Sequence, residues 1–391
     1  MKTPGSYTWR PIVATCIALA SLTALASCGS SQHASLTSPD VLARVEQALQ
    51  STGNVTHLVM DDRRGISVEV WLDPANQRAR ADSTTTAALI TEGYDPRPAG
   101  YRISEIIANG RTYDEIPSLS SANTPDESLS LALPWFVSSD KADTPAVQYS
   151  TVTRGRAGGK DVLTVNEVAD AGIDVPFAVW PTDSPFLCPL QRTLTVDASS
   201  YLPVSLDVTL LCQQERYPTD YEYQIIYSSI EFLDEGTLPD AQFSPEAVRD
   251  SIIGEELAAL KASPFDVYWL GSVLPASLKI NGDDGLSDAR ANWPSQDGEV
   301  AYFDYSPVHS SPGGLGIYEW PKGDEGLFCT TEWPVSGTAE VVTRFGPALF
   351  CDAQEQQLVF TIGNTMVRLE YGLNNGPQWF IDRANALVPL K

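Results

Sequence analysis

The sequence predicts an α+β protein whose first half is a large antiparallel sheet and whose second half is a smaller, β-rich α+β domain. Three observations predict it. Apolar residues alternate with period two over most of the chain, as in Ile66, Val68, Val70 and Leu72 set against Ser67, Glu69 and Trp71. Turn signals separate these runs, the strongest being Asn109-Gly110. Helical periodicity is confined to a few short stretches, and 391 residues with 43% apolar content are enough for two cores.

The N-terminus reads as an address. Lys2 and Arg10 precede a sixteen-residue apolar run, Pro11 to Ala26, that is shorter than a lasting membrane span needs. Residues 1–27 are therefore expected to be a signal peptide. Leu25-Ala26-Ser27-Cys28 resembles the lipobox of bacterial lipoproteins, which implies acylation of Cys28 and cleavage before it. Each buried methylene contributes ~0.8 kcal/mol, so several chains make a lasting anchor on the extracytoplasmic face of the cell membrane. Removing residues 1–27 takes away Lys2 and Arg10 and no acid, moving the net charge from −25 to −27. Such an excess argues against nucleic acid as a partner and holds the body off an anionic bilayer. Residues 28–37 read as a flexible tether.

From Ser38-Pro39-Asp40, an N-cap, a first-turn proline and an acid, a helix is expected through Val41, Val45 and Leu49. Strands follow at 55–61, 66–73, 77–82, 105–108 and 111–116. Thr124-Pro125-Asp126-Glu127 forms a capping box ahead of Leu129, Leu131, Ala132 and Leu133, with Pro134 ending an unusually apolar helix before Trp135 and Phe136. Strands resume at 147–154, 162–168, 175–180, 192–197, 204–211 and 221–232. A sheet of about eleven strands with so few helices must curl on itself or onto that internal helix to hide one face. A helix capped by Ser244 and running from Pro245 to about Ala262 joins the halves. Beyond it strands are expected at 265–270, 300–305, 316–319, 339–344, 358–362, 365–371 and Trp379 to Ile381, with Asn281 to Gly285 as an acidic turn.

The first helix with Val68-Glu69-Val70-Trp71-Leu72-Asp73-Pro74, Arg78-Ala79-Arg80, the run Ile106 to Tyr113, Tyr201-Leu202-Pro203 and Phe243-Ser244-Pro245 resembles the outer-membrane lipoprotein carrier (LolA/LolB-like) superfamily over about half the chain. The resemblance implies a half-open antiparallel barrel with helices in its mouth, spanning 38–249, and an apolar cavity for acyl chains. Residues 250–391 form the second domain.

Cysteine usage fits an oxidising compartment. Beyond Cys16 and Cys28 the chain has Cys188, Cys212, Cys329 and Cys351, which permit three pairings. Cys188 with Cys212 and Cys329 with Cys351 are preferred, because each closes a short loop within one domain. Metal or cofactor chemistry is not expected, since no Cys-x-x-Cys spacing exists and His33, His57 and His309 stand in no recognisable catalytic spacing. Gly155 to Lys160 imitates a phosphate loop, but Asp161 follows the lysine and strands flank it, so it reads as a hairpin turn.

Candidate ligand-binding residues are Trp71, Leu129, Leu131, Leu133, Trp135, Phe136, Phe177 and Trp180, an apolar helix with aromatic neighbours in excess of what one short helix needs. The expected function is a membrane-anchored binding protein for an acyl chain or other apolar ligand. The alternative is an envelope sensor that binds a protein partner, its interior filled by its own side chains. No covalent chemistry is expected of either.

Overall fold

Antiparallel strands account for more than half of the residues described by the computed structural model, which are 36–50, 54–62, 65–86, 99–116, 120–123, 128–133, 147–169, 190–210, 222–234, 236–275, 277–278, 284–295, 298–307, 314–323, 326–329, 335–353, 355–371 and 375–391. The residues from Leu36 to Lys391 form one compact unit. Its first helix, α1 (Ser38–Leu49), is capped by Thr37 rather than Ser38. The Thr37 side chain accepts from the Asp40 amide and the Asp40 carboxylate accepts from the Thr37 amide, a capping box one residue upstream of the expected cap. Ser38 is freed for another contact.

Eleven strands make the first sheet: β1 (Asn54–Asp62), β2 (Ile66–Asp73), β3 (Arg78–Thr85), β4 (Arg102–Ala108), β5 (Arg111–Ile116), β6 (Ser120–Asn123), β7 (Val147–Ala157), β8 (Lys160–Ala169), β9 (Leu190–Asp197), β10 (Pro203–Leu210) and β11 (Glu222–Asp234). The order is β6-β5-β4-β3-β2-β1-β11-β10-β9-β8-β7, so the chain meanders out along one wing, crosses to the far edge and meanders back until β11 closes on β1. The crossing from β6 to β7 carries α2 (Ser128–Ala132). Asn109 and Gly110 both have positive φ, the geometry a two-residue turn between β4 and β5 requires.

One continuous core holds both wings together. Val41, Val45 and Leu49 of α1 and Leu129, Leu131 and Ala132 of α2 share it with Val68, Val70 and Ala79 on one wing and Leu163, Val165, Leu194 and Leu206 on the other. Residues from opposite wings reach one core only if the sheet folds around the helices. This is the layout of an antiparallel half-barrel with helices on its inner face.

α3 (Pro245–Lys261), with Ser244 accepting from the Ala247 amide, packs in two directions. Val248 and Ile252 meet Ile106, Ala108 and Ile116 of the first sheet. Ile253 and Leu260 join the core of the second. That sheet comprises β13 (Asp284–Ser295), β14 (Gly298–Pro307), β15 (Leu315–Pro321), β16 (Gly337–Thr343), β17 (Gly346–Asp352), β18 (Gln356–Ile362) and β19 (Thr365–Tyr371), in the order β13-β14-β15-β19-β18-β17-β16. The short β12 (Tyr268–Trp269) pairs with β20 (Val388–Pro389), and α4 (Gly376–Ala386) lies between β19 and β20 in the chain.

The second half departs from expectation in several places, one of them the unexpected β20. Trp379 to Ile381, expected as a strand from its aromatic and β-branched residues, lies inside α4, where Pro377 opens the helix and Phe380 and Ala384, one turn apart, are fully buried. Asp284 and Gly285, expected in a turn, begin β13. The strand expected over 265–270 shortens to β12, and β17 is an additional strand; so is the four-residue β6 of the first sheet. Gly155 to Lys160 is the β7–β8 hairpin, with Gly158 and Gly159 at positive φ.

Candidate functional site

The candidate site is the inner face of the half-barrel beneath α1 and α2. α2 has only five residues, too few to hold a helix on its own, so tertiary contact decides its place. Leu131 is 1% exposed, and Leu129, Ala132 and Leu133 are also buried. One side-chain hydrogen bond reaches its backbone: the Tyr227 hydroxyl, from β11, donates to the Ala132 carbonyl at 2.8 Å. That bond satisfies one of the carbonyls a helix C-terminus leaves open. The described core residues around it are otherwise apolar.

α1 is fixed differently. Glu167 and Arg192 are directly opposite on β8 and β9 and point into the core, their side chains 4% and 3% exposed. Arg192 Nη2 lies 2.7 Å and Nε 2.8 Å from Glu167 Oε2. Ser38 donates to the other carboxylate oxygen. Thus the first turn of α1 is bound to a buried ion pair. Thr56 on β1 donates to the Leu49 carbonyl at 2.7 Å and holds the other end.

Sequence reasoning singled out the α2 leucines and missed this polar group. A signal for it existed. On β8 the inward positions run Leu163, Val165, Glu167, Ala169, and on β9 Arg192, Leu194, Val196, so an acid and a base each occupy an apolar position on neighbouring strands.

Leu129, Leu131 and Leu133 come together as expected, but Trp71 does not join them. Its neighbours Val70 and Leu72 face the inner core, so strand alternation turns Trp71 to the outer face. There it packs with Val55 and Phe243, stacks on His57 at 5.1 Å and lies 5.3 Å from the Arg80 guanidinium. Trp135, Phe136, Phe177 and Trp180 lie outside the described residues, as do Cys28, Cys188, Cys212, His33 and His309. Cys329 and Cys351 are bonded, with Cα atoms 6.0 Å apart.

A second polar cluster joins the two sheets. Asp82 on β3 accepts from Arg80 at 2.6 and 2.7 Å, from Arg102 at 2.7 Å and from Ser104 at 2.7 Å. Burial pushes the Asp82 carboxyl up, but these donors outweigh it and hold the group below the usual carboxylate range. From the other sheet Arg290 donates to the Arg102 carbonyl at 3.1 Å, lies 4.4 Å over the Tyr101 ring and sits 2.9 Å from Asp288. Burial pushes Asp288 up to about 6 against the pull of Arg290, and raises Glu256 beside it. Glu319, on the helix-covered face of the second sheet, is driven well upward by burial and gives one oxygen to the Tyr268 amide. Among the described residues no group of His, Cys, Asp and Glu side chains is placed to hold a metal ion, and no helix is long and apolar enough to cross a membrane.

No protein family matches the chain, and no curated protein is significantly similar to it. Among solved structures it is similar to a chain of the Pseudomonas aeruginosa MucA/MucB complex, at 14% identity over 90% of this chain and 98% of that one, with a TM-score of 0.27. It is also similar to an uncharacterized conserved protein of Thermus thermophilus, at 10% identity over 52% of this chain and 91% of that one, TM-score 0.29. A third likeness is to LprF from Mycobacterium bovis, at 14% identity over 52% of this chain and 97% of that one, TM-score 0.29. No site residue is carried over from them.

Proposed function

We propose that the chain is an extracytoplasmic binding protein, tethered through acylated Cys28, that takes an acyl chain or another apolar molecule between the inner face of its half-barrel and α2. The observation that carries this reading is the seat of α2. A five-residue helix with buried Leu129 and Leu131, and Leu133 just past its end, is held among the described residues by apolar contact and one hydroxyl. An alkyl chain entering beneath it replaces apolar contact with apolar contact, so few buried polar groups lose partners. Binding then draws on area, at roughly 25 cal/mol per Å², rather than on polar recognition. No catalysis is assigned.

Organic extraction of purified protein followed by mass spectrometry tests the reading. A stoichiometric lipid or other apolar molecule is the expected result, lost in Leu131→Trp while the fold is kept. Extracts empty in both proteins would contradict it and favour the second reading, a regulatory lipoprotein whose interior holds only its own side chains. The outer edge of β7, unpaired with any other strand among the described residues, is the observation on that side.

A further inference from the structure

Among the described residues β7 ends the eleven-stranded sheet, with β8 paired along one side of it. Sheets commonly blunt such edges with short strands, prolines or bulges, because unpaired amides and carbonyls are a template for another chain. The opposite edge follows that rule, since β6 has four residues. β7 does not. It has eleven residues and no proline, nine of them are exposed, and its register irregularity lies at its start, between Val147 and Tyr149. Val147 and Tyr149 leave 45% and 60% of their surface in solvent.

Charge says what such an edge would accept. The chain has 50 acidic and 25 basic residues, and every other strand of this sheet longer than four residues carries an acid. β7 carries none, and has Arg154 and Arg156, with Lys160 just past the turn. Both arginines are exposed; Arg156 has an exposed ion pair with Asp161 at 3.1 Å. Arg154 is opposite Leu163, and Val152 opposite Val165, so both arginines lie on the inner side of the sheet at its rim. Pairing β7 with a second copy of itself would bring four arginines onto one seam, which disfavours self-association.

We propose that the outer edge of β7 takes an extended acidic segment of a partner polypeptide as a twelfth strand. Backbone pairing along Ser150 to Ala157 supplies affinity, and carboxylates on the inner face of the added strand meet Arg154 and Arg156. The inference is independent of what lies beneath α2.

The test uses the full mature chain at low salt and a labelled peptide alternating threonine and glutamate, matched in length to β7. The expected result is saturable 1:1 binding, slowed exchange of the β7 amides, and no binding by the same peptide N-methylated at alternate amides. Arg154→Glu/Arg156→Glu should weaken binding by about tenfold or more with an unchanged thermal midpoint, while Arg154→Lys/Arg156→Lys retains most of it. Any of five outcomes overturns the proposal: no binding of the glutamate peptide, equal binding of its N-methylated form, equal binding of a lysine counterpart, indifference to charge reversal, or a dimer joined through β7.

Discussion

Replacing Glu167 with alanine should loosen α1 more than any single apolar truncation in that helix. The change leaves the Arg192 guanidinium, 3% exposed, without the carboxylate 2.7 Å away, and takes from Ser38 the oxygen to which it donates. Breaking a buried pair from one side costs about 3 to 5 kcal/mol, and the lost hydroxyl bond adds about 1 kcal/mol. Against a total stability of roughly 5 to 15 kcal/mol, that is a large fraction. The Glu167→Leu/Arg192→Leu pair removes both charges together and should cost far less, because neither charge is left buried without the other. Urea unfolding followed by tryptophan fluorescence gives the free energies, and amide exchange over Ser38–Leu49 locates the effect. A single-variant cost below about 1 kcal/mol, or a double-variant cost equal to the sum of the singles, would refute the assignment of this pair as the fixing point of α1.

Acidity should act oppositely on the two sheets. Asp288, raised to about 6, and Glu370, raised to about 7, are protonated more readily folded than unfolded, so their contribution is present in mild acid and is lost as pH rises through those values. Asp288 alone is worth on the order of 1 kcal/mol between pH 5 and 8, and Asp288→Asn should flatten the slope measured by urea unfolding. Asp82, held low, contributes above the usual carboxylate range and loses its effect only as pH falls below it, so amide exchange in β3 and β4 should stay slow at pH 5. Cys351→Ser, which opens a bond between residues 22 apart, should lower the stability of the second sheet by about 3 kcal/mol in a chemical denaturation curve. Peptide mapping should find Cys188 joined to Cys212, since Leu190 pairs with Leu210 and Cys188 precedes the one by two residues while Cys212 follows the other by two; two free thiols there would contradict that pairing. Metabolic labelling with a radioactive fatty acid should mark the wild-type chain and not Cys28→Ser.

Much of this architecture is legible in the sequence because period-two alternation is explicit on strands with one buried face, as on β8 and the first half of β2. The α2 leucines stand out for the same reason, as an apolar block no exposed loop would carry. Three kinds of information are not local. The pairing that joins β1 to β11 is decided by the return of the chain from the far edge of the sheet, not by any residue in either strand. α4 is hidden because Trp379, Phe380 and Ile381 favour strands intrinsically, whereas the burial of Phe380 and Ala384 against the second sheet selects the helix. Trp71 shows a third limit: its size suggests a ligand wall, yet its parity sends it to the outer face beside Phe243.

Titration of delipidated mature protein with a fluorescent fatty acid tests the central claim most directly. Saturable binding at one site per chain, an emission shift to the blue that reports an apolar surrounding, and loss of both in Leu131→Trp are expected. Emission that stays unshifted at saturating concentrations, or binding that Leu131→Trp leaves untouched, would contradict it.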